Sequence, residues 1–279
     1  MTLTLQDVKT VEALVRDAAA QEIMPRFGRL AAQDIASKSS ADDLVTIADI
    51  RTEERLSAAL RAAFPQAVVC GEESGSDTGG DAGDDASGGG PIDPEAHHLL
   101  FVIDPVDGTW PFARGMPIFG SMVAVFEGGQ AVAGVIHYPL TGESLICRKG
   151  QGVQLLDAQG QSCALPPLRQ GQGIAAGTIS QRRDGVAPLR LDDVARVMAI
   201  YCSAWEYRLL LSGAVDFLIN HGPLNLWDHA AGQVMVAELG GACATLSGLP
   251  WAQIGGDDLL VTGRSDAVLG QVLDQIRQP

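Results

Sequence analysis

LLFVIDPVDGT, residues 99–109, is the stretch that decides the fold of this chain. Its first four residues are apolar and predict a buried strand, after which Asp104 and Asp107 stand three positions apart. Proline between them fixes φ and glycine after them frees it, so we expect the strand to end in a tight turn. Two carboxylates this close repel one another unless a cation lies between them, and oxygen ligands favour Mg²⁺. The stretch alone is compatible with a metal-binding turn or with a surface turn carrying two solvated aspartates.

Three other segments each place a carboxylate at the end of an apolar run. They are DLVTIAD (43–49), AVVCGEES (67–74) and LWDHAAG (226–232). With the first stretch, and in this order, they resemble the inositol monophosphatase family, a lithium-sensitive group of Mg²⁺-dependent phosphatases. That family's pattern is an upstream Asp, then Glu-Glu, then Asp-Pro-x-Asp-Gly-Thr, then Trp-Asp-x-x-Ala, and this sequence fills every position. The resemblance covers roughly residues 38–232.

Composition excludes several classes of protein. The chain has 279 residues, 46% of them hydrophobic, which is typical of a globular protein with a large core. A formal charge of −15 argues against a nucleic-acid partner. No apolar run approaches the ~20 residues that span a bilayer, and the first residues lack the pattern of a secretion signal. Five cysteines without CxxC spacing indicate reduced thiols, so we expect a cytoplasmic protein with no membrane partner.

The periodicity divides the chain into two halves, 1–150 and 151–279. In the first half it predicts helices at 5–24 and 50–64 and strands at 119–126, 131–138 and 143–148. In the second half, strands at 174–178, 215–219, 242–246 and 259–262 alternate with helices at 191–198, 204–212, 228–239 and 266–277. Residues 76–96 contain six acids and no base, which predicts a flexible, dispensable insert.

The family resemblance implies an α/β fold with an α+β N-terminal half. The implied architecture is the layered αβαβα sandwich of inositol monophosphatase and fructose-1,6-bisphosphatase, with the active site between the two halves. The first half would carry most of the metal ligands, and the second half would carry Asp228 and the substrate contacts. The resemblance also implies a homodimer.

The resemblance implies a set of metal ligands as well. It comprises the carboxylates of Glu72, Asp104, Asp107 and Asp228 and the backbone carbonyl of Val106. These oxygens are expected to hold two or three Mg²⁺ ions.

Asp49 and Thr109 are expected to orient the attacking water, with Glu72 nearby. A hydroxyl backed by a carboxylate can relay a proton. Asp49 has a second interpretation as the N-cap of the helix predicted at 50–64, where aspartate is favoured, and both roles can hold together.

Substrate contacts are expected from both halves. The backbone N–H groups of Gly108 and Thr109 are predicted to bind the phosphate. Lys38 is predicted to lie in a flexible loop that closes over the site, unless it is a solvated loop lysine. Further contacts are expected from Ser203, Ala204, Trp205, His221 and Asp228, with Ser203 as the N-cap of its helix.

Two of these positions depart from the family pattern and bear on the substrate. Many family members have a glutamate seven residues before Asp228 that binds substrate hydroxyls, and here that position is His221. Trp205 stands where a small residue is usual, so it either narrows the pocket or packs in the core. A neutral imidazole accepts one hydrogen bond where a carboxylate accepts several, so we expect inositol phosphate to be a mediocre substrate. A protonated His221 would favour a second anionic group.

The sequence therefore predicts a Mg²⁺-dependent phosphatase that hydrolyses a small phosphomonoester by direct attack of water. One alternative keeps the chemistry and changes the substrate to a 3′(2′),5′-bisphosphate nucleotide such as 3′-phosphoadenosine 5′-phosphate, fructose bisphosphate or histidinol phosphate. Another is a metal-binding regulatory protein without turnover. The presence of Asp49 and Thr109 argues against that last alternative, because a protein that only binds metal needs neither.

Overall fold

The computed structural model describes residues 3–38, 43–76, 92–180, 191, 194–222, 224–248 and 258–277. Its α-helices are α1 (Leu5–Ala18), α2 (Ile47–Ala63), α3 (Thr109–Ala113), α4 (Ser203–Leu211), α5 (Leu226–Glu238) and α6 (Asp266–Arg277). A π-helical turn, Ala19–Ile23, extends α1 towards Pro25, and 3-10 turns occupy Ala32–Asp34 and Pro94–Ala96. None of the helices in the described ranges has both the length and the apolar character needed to cross a membrane.

Fifteen strands in the same ranges form two main sheets and a small hairpin. The hairpin pairs β1 (Ile35–Ser37) with β2 (Leu44–Thr46). The large sheet has the order β10-β9-β8-β7-β6-β5-β3-β4, and the small sheet has the order β12-β11-β13-β15-β14. Strands of the large sheet are β3 (Val68–Gly71), β4 (Gly75–Ser76), β5 (Leu99–Asp107), β6 (Gly120–Glu127), β7 (Gln130–Tyr138), β8 (Glu143–Arg148), β9 (Val153–Leu156) and β10 (Ser162–Ala164). Those of the small sheet are β11 (Ala176–Ile179), β12 (Arg196–Met198), β13 (Phe217–His221), β14 (Ala242–Thr245) and β15 (Leu259–Gly263).

Strand β5 lies inside the large sheet and is buried along its whole length. Phe101 and Ile103 pack with α1 and α2 on one face, whereas Leu100 and Val102 pack with α4 and α5 on the other. A strand covered on both faces has an unbroken apolar sequence, which is why this run is not an alternating pattern. The strand is longer than predicted, because it continues to Asp107 and the tight turn begins only after that residue.

The elements stack in five layers. Helices α1 and α2 cover one face of the large sheet, and α4 and α5 lie between the large sheet and the small one. Helix α6 packs on the outer face of the small sheet through Val268 and Val272, against Phe217 and Val261. The order α-β-α-β-α confirms the predicted fold class. The boundary at residue 150 stays a prediction, and β9 and β10 continue the large sheet beyond it.

Helix α2 begins three residues before the predicted start. Thr46 is its N-cap: the Thr46 hydroxyl accepts a hydrogen bond from the Ala48 N–H, while the Asp49 carboxylate accepts from the Thr46 N–H. This reciprocal capping satisfies backbone donors that the first turn leaves open. The interpretation of Asp49 as the N-cap is therefore wrong, because Asp49 is the third residue of the helix.

Two other predictions of secondary structure need correction. The helix predicted at 191–198 is wrong for its last three residues, since Arg196–Met198 form edge strand β12, parallel to β11. Pairing with an open sheet edge overrides the weak helical periodicity of so short a segment. The acidic insert is largely outside the described residues, but its end is ordered: Asp93 caps the 3-10 turn Pro94–Ala96.

Candidate active site

The last residues of β5 bring the first two aspartates of the site into position. The register of β5 against β6 shifts between Asp104 and Asp107, so that the strand is irregular where the carboxylates lie. Gly108 follows with φ of 86°, and a Cβ there would lie 2.9 Å from the carbonyl oxygen of Ile118. Only glycine combines this backbone conformation with so close an approach, so the DG pair of the sequence is a geometric requirement.

Asp228, in the first turn of α5, completes a group of three carboxylates with Asp104 and Asp107. One ligand oxygen from each lies within 4.8 Å of the other two. Asp104 and Asp107 are buried, and Asp228 is partly exposed. Oδ1 of Asp104 has no hydrogen-bond partner in the described part of the chain. These three residues come from two distant segments, as the sequence analysis predicted.

The electrostatics of this acidic cluster fit a cation. Burial raises the pKa of Asp104 and that of Asp228 well above the ordinary value, and the charge of Glu72 raises both further. No salt bridge between described residues reaches any of the three carboxylates. A buried set of carboxylate oxygens without a partner of opposite charge has the donor chemistry of a Mg²⁺ site.

Asp107 has a second set of contacts, at the start of α4. Its carboxylate accepts hydrogen bonds from the N–H of Ser203 at 3.1 Å, the N–H of Ala204 at 2.5 Å and the thiol of Cys202 at 2.9 Å. Burial raises the pKa of Asp107 to about 6, although these three donors act in the opposite direction. The prediction of Ser203 as N-cap is wrong, because Cys202 holds that position and the Asp107 side chain accepts from the helix N-terminus.

Asp49 and Thr109 meet as predicted. The Thr109 hydroxyl lies 3.0 Å from Oδ1 of Asp49 and 2.9 Å from the carbonyl oxygen of Val106. The other oxygen of Asp49 accepts from both the N–H and the hydroxyl of Thr46. Burial raises the pKa of Asp49 to about 6, against the hydrogen bonds from Thr46. Asp49 therefore caps α2 with one carboxylate oxygen and accepts the hydrogen bond from the Thr109 hydroxyl with the other.

Glu72 and Lys38 form the exposed side of the site. Lys38 Nζ lies 2.8 Å from Oε1 of Glu72 and 2.6 Å from Oε1 of Glu73, so it bridges the two glutamates. Burial acts to lower the pKa of Lys38, but the Glu72 carboxylate outweighs it and the net shift is upward. Glu72 is not within the group of three carboxylates. Lys38 directly follows hairpin strand β1, and the structure places it beside Glu72.

Glu53 is a residue that sequence reasoning missed. Its two carboxylate oxygens accept hydrogen bonds from the N–H groups of Glu73 and Ser74, each at 2.9 Å, and its side chain is buried. Gly71 is required opposite it, because a Cβ there would overlap the Glu53 carboxyl group. A detectable signal was present, since Glu53 is four residues after Asp49 and so shares its helix face.

A cavity of about 170 Å³ adjoins the acidic cluster. Its walls include Asp107, Asp228 and His221, which the sequence predicted, and also Glu206 and Asn220, which it did not. Burial raises the pKa of Glu206 to about 8, although hydrogen bonds from Asn220 and Thr178 act against it. Asn225, also missed, donates to Asp228 at 3.1 Å.

Trp205 does not line this cavity, contrary to its predicted role in substrate binding. Its indole N–H donates to the carbonyl of Phe119 at 3.2 Å, and its ring packs edge-on against Tyr138. Trp205 therefore packs in the core, which is the alternative interpretation of this residue. Ala204 is also turned away from the cavity, because its Cβ contacts Gly120 and its N–H is used by Asp107.

Comparison with known proteins places the chain in a family. The pattern of the inositol monophosphatase family matches residues 4–274. Inositol-1-monophosphatase ImpA of Mycolicibacterium smegmatis is 30% identical over 78% of this chain and 75% of its own length. Histidinol-phosphatase of Streptomyces coelicolor is also 30% identical, over 88% of this chain and 89% of its own. The solved structure of a Thermotoga maritima IMPase shares the fold, with a TM-score of 0.76, 22% identity and coverage of 97% and 96%. The chain therefore belongs to the inositol monophosphatase family of phosphatases.

Proposed function

We propose that this protein is a Mg²⁺-dependent phosphatase that hydrolyses a small phosphomonoester by direct attack of water. The observation that carries the proposal is a group of three carboxylates, which no salt bridge between described residues reaches, next to an aligned hydroxyl–carboxylate pair. Asp104, Asp107 and Asp228 offer their oxygens within 4.8 Å of one another. The Thr109 hydroxyl, just after β5, lies 3.0 Å from Oδ1 of Asp49, which is in the first turn of α2. Family membership supports the reaction class independently of this geometry.

The metal would be held by the acidic cluster, with Glu72 and the Val106 carbonyl as further ligands. The unpaired Oδ1 of Asp104 and the raised pKa of that buried carboxyl fit this assignment, because a bound cation favours the ionised form. When bound, two or three Mg²⁺ ions supply positive charge to the phosphate oxygens and lower the pKa of water.

The remaining catalytic work belongs to Thr109 and Asp49. With its proton directed at Asp49, the Thr109 hydroxyl oxygen can accept a hydrogen bond from a water and fix its orientation. The charge on Asp49 then favours movement of a proton from the water through the hydroxyl. Gly108, which has a positive φ, bends the chain just before Thr109, and in this proposal the backbone N–H of Thr109 binds the phosphate.

The physiological substrate is a separate matter from the reaction class. An inositol phosphatase and a histidinol phosphatase are equally identical to this chain. A metal-binding protein without turnover is disfavoured by the Asp49–Thr109 pair, since metal binding alone needs no aligned hydroxyl. Lithium inhibition and homodimeric assembly belong to the same proposal through family membership.

The test measures phosphate release from a panel of small phosphomonoesters, with Mg²⁺ and with a chelator. Thr109→Val should lower kcat by about 10²–10⁴, the range of general acid–base contributions, while Mg²⁺ binding persists. Thr10→Val is a matched control, because the Thr10 hydroxyl donates to the Gln6 carbonyl of its own helix and, among the described residues, to no group of the site. Mg²⁺-independent turnover, or full activity of Thr109→Val, would contradict the proposal.

A further inference from the structure

The cavity has a second wall that the proposed chemistry does not use. Ser180 directly follows β11, and Asn220 and His221 end β13. Strands β11 and β13 are parallel neighbours, so their carboxyl ends open on the same side, where open α/β sheets bind ligands. Helix α4 brings Glu206 to this wall, and all four residues line the cavity.

Glu206 and Asn220 form a buried pair with an acceptor to spare. Nδ2 of Asn220 donates to Oε2 of Glu206 at 2.7 Å. The two residues are 2% and 3% exposed. The Glu206 carboxylate has one further donor, the Thr178 hydroxyl, whereas Oδ1 of Asn220 accepts no hydrogen bond from any residue that the structure describes. Buried acceptors without donors are costly, so a wall of this kind is expected to meet a ligand that donates.

The charge of Glu206 and the open acceptor of Asn220 indicate which donor fits. A hydroxyl carries one proton and no charge, whereas an ammonium group carries three protons and a positive charge, so it can donate to Asn220 and pair with the Glu206 carboxylate. None of the described residues on the cavity wall is lysine or arginine, and Glu206 adds a carboxyl to those of Asp107 and Asp228. Burial raises the pKa of Glu206, and an adjacent cation restores its ionised form.

We propose that Glu206 and Asn220 bind a protonated amine on the alcohol part of the substrate, so that the enzyme prefers amino-alcohol phosphates. The proposal rests on the phosphatase function proposed above, because the phosphate held at the acidic cluster is what brings the alcohol to this wall. It opposes the alternative in which His221 binds a second phosphate, since Glu206 would repel that group.

Three esters of nearly equal size test it: 2-aminoethyl, 2-hydroxyethyl and propyl phosphate. With Mg²⁺ present, kcat/KM of the wild-type protein for the amine should exceed that for the other two by about tenfold to a hundredfold, the effect of a charged hydrogen bond. In Glu206→Gln, which keeps shape and removes charge, the three values should converge to within about threefold. Glu12→Gln is the matched control, because Glu12 is a buried glutamate bonded to Arg16 and Ser144, outside the cavity walls. Its preference should equal that of the wild type.

Each outcome separates the subsite from the phosphatase function. Equal kcat/KM for the three esters in the wild type, a preference for 2-hydroxyethyl phosphate, or an unchanged amine preference in Glu206→Gln overturns the subsite. A wild-type protein that hydrolyses other phosphomonoesters but none of these three overturns it as well. A protein that hydrolyses no phosphomonoester with Mg²⁺ overturns the phosphatase function instead. Ethanolamine should inhibit wild-type hydrolysis at concentrations where ethylene glycol and propanol do not, which tests the subsite even if Glu206→Gln fails to fold.

Discussion

Asp104, within β5, and Asp216, just before β13, are both buried aspartates, yet their surroundings are opposite. Asp216, just before β13, accepts hydrogen bonds from the N–H of Ala175 at 2.7 Å and the guanidinium of Arg264 at 2.6 Å. Asp104 has one carboxylate oxygen with no partner among the described residues and two other aspartates within 4.8 Å.

The two pKa shifts follow these surroundings. Burial alone would raise the pKa of Asp216, but the Ala175 N–H and the Arg264 guanidinium outweigh it and hold the pKa below its ordinary value. Burial and the charge of Glu72 act together on Asp104, and its pKa is raised. The chain satisfies the Asp216 carboxylate with its own donors, whereas the Asp104 carboxylate is the one for which we propose a cation from outside. The first is expected to serve stability and the second binding.

The same substitution at both positions should give opposite phenotypes, and the larger effect is on activity. Asp104→Asn should lower kcat/KM at least about a hundredfold, because loss of a ligand should exceed the 10–100-fold effect of residues that only support ligands. The metal-free variant should unfold at the same free energy as the wild type or at a higher one, since an unpaired buried charge is removed. Phosphate release and chemical denaturation in chelator measure the two quantities. Near-normal turnover with saturating Mg²⁺ would contradict the assignment.

Asp216→Asn should act on stability instead. Removing one partner of a buried ion pair costs about 3–5 kcal/mol, because Arg264 is left buried and uncompensated. We therefore expect the free energy of unfolding in urea to fall by about 3 kcal/mol, with kcat of the folded fraction unchanged. The Asp104→Asn protein is the matched comparison. A loss of activity without a loss of stability in Asp216→Asn would break the distinction between the two regions.

The sequence predicted the group of three carboxylates more completely than the other walls of the cavity. Asp104, Asp107 and Asp228 are marked by local patterns, a DPxDGT turn and a WD pair that opens a helix, and each pattern fixes its own geometry. The five-layer fold follows from the order of strands and helices, because few architectures bury so many apolar faces. Each of these signals is a local pattern that can be read from residues close together in the chain.

The features that sequence reasoning missed depend on distant pairs. Glu206 gains its meaning from Asn220, fourteen positions away on another element. The sequence does not show whether a large side chain such as Trp205 narrows a pocket or packs in the core. Only its contacts with Phe119 and Tyr138 show that it packs in the core. Periodicity shows which face of a helix or strand is apolar, but it does not show which polar side chains on different elements will form a hydrogen bond.

Glu53 combines features of both aspartates. Like Asp216 it has its hydrogen-bond donors within the chain, and like Asp104 it lies near the proposed metal site, because it holds the backbone next to Glu72. Glu53→Gln replaces one acceptor oxygen by a donor, so one of the N–H groups of Glu73 and Ser74 loses its partner. We expect the loop with Glu72 to loosen and the Mg²⁺ concentration for half-maximal activity to rise about tenfold, as for other residues that orient metal ligands.

The neighbouring Glu54→Gln provides the control for this change. Glu54 is on the same helix, but its side chain is 57% exposed, and among the described residues its ion pair is with Arg51. Its Mg²⁺ dependence should match the wild type, because an exposed ion pair contributes little. An identical shift in both variants would show that the effect belongs to the helix and not to the Glu53 contacts.

The smallest effect expected is the pH dependence that Asp216 gives to stability. Its folded-state pKa is lowered, so the unfolded chain binds the proton more tightly and the ion pair contributes its full stability above the unfolded pKa, ~3.9. That contribution is lost as pH falls through the lower folded-state value, with a slope of at most about 1.4 kcal/mol per pH unit for one proton. Urea denaturation of the metal-free protein at pH 5, 4 and 3 should show the wild type losing more stability than Asp216→Asn over this range. Parallel pH profiles for the two proteins would mean that Arg264 does not hold Asp216 ionised, and the difference between the two buried aspartates would then lie in packing rather than charge.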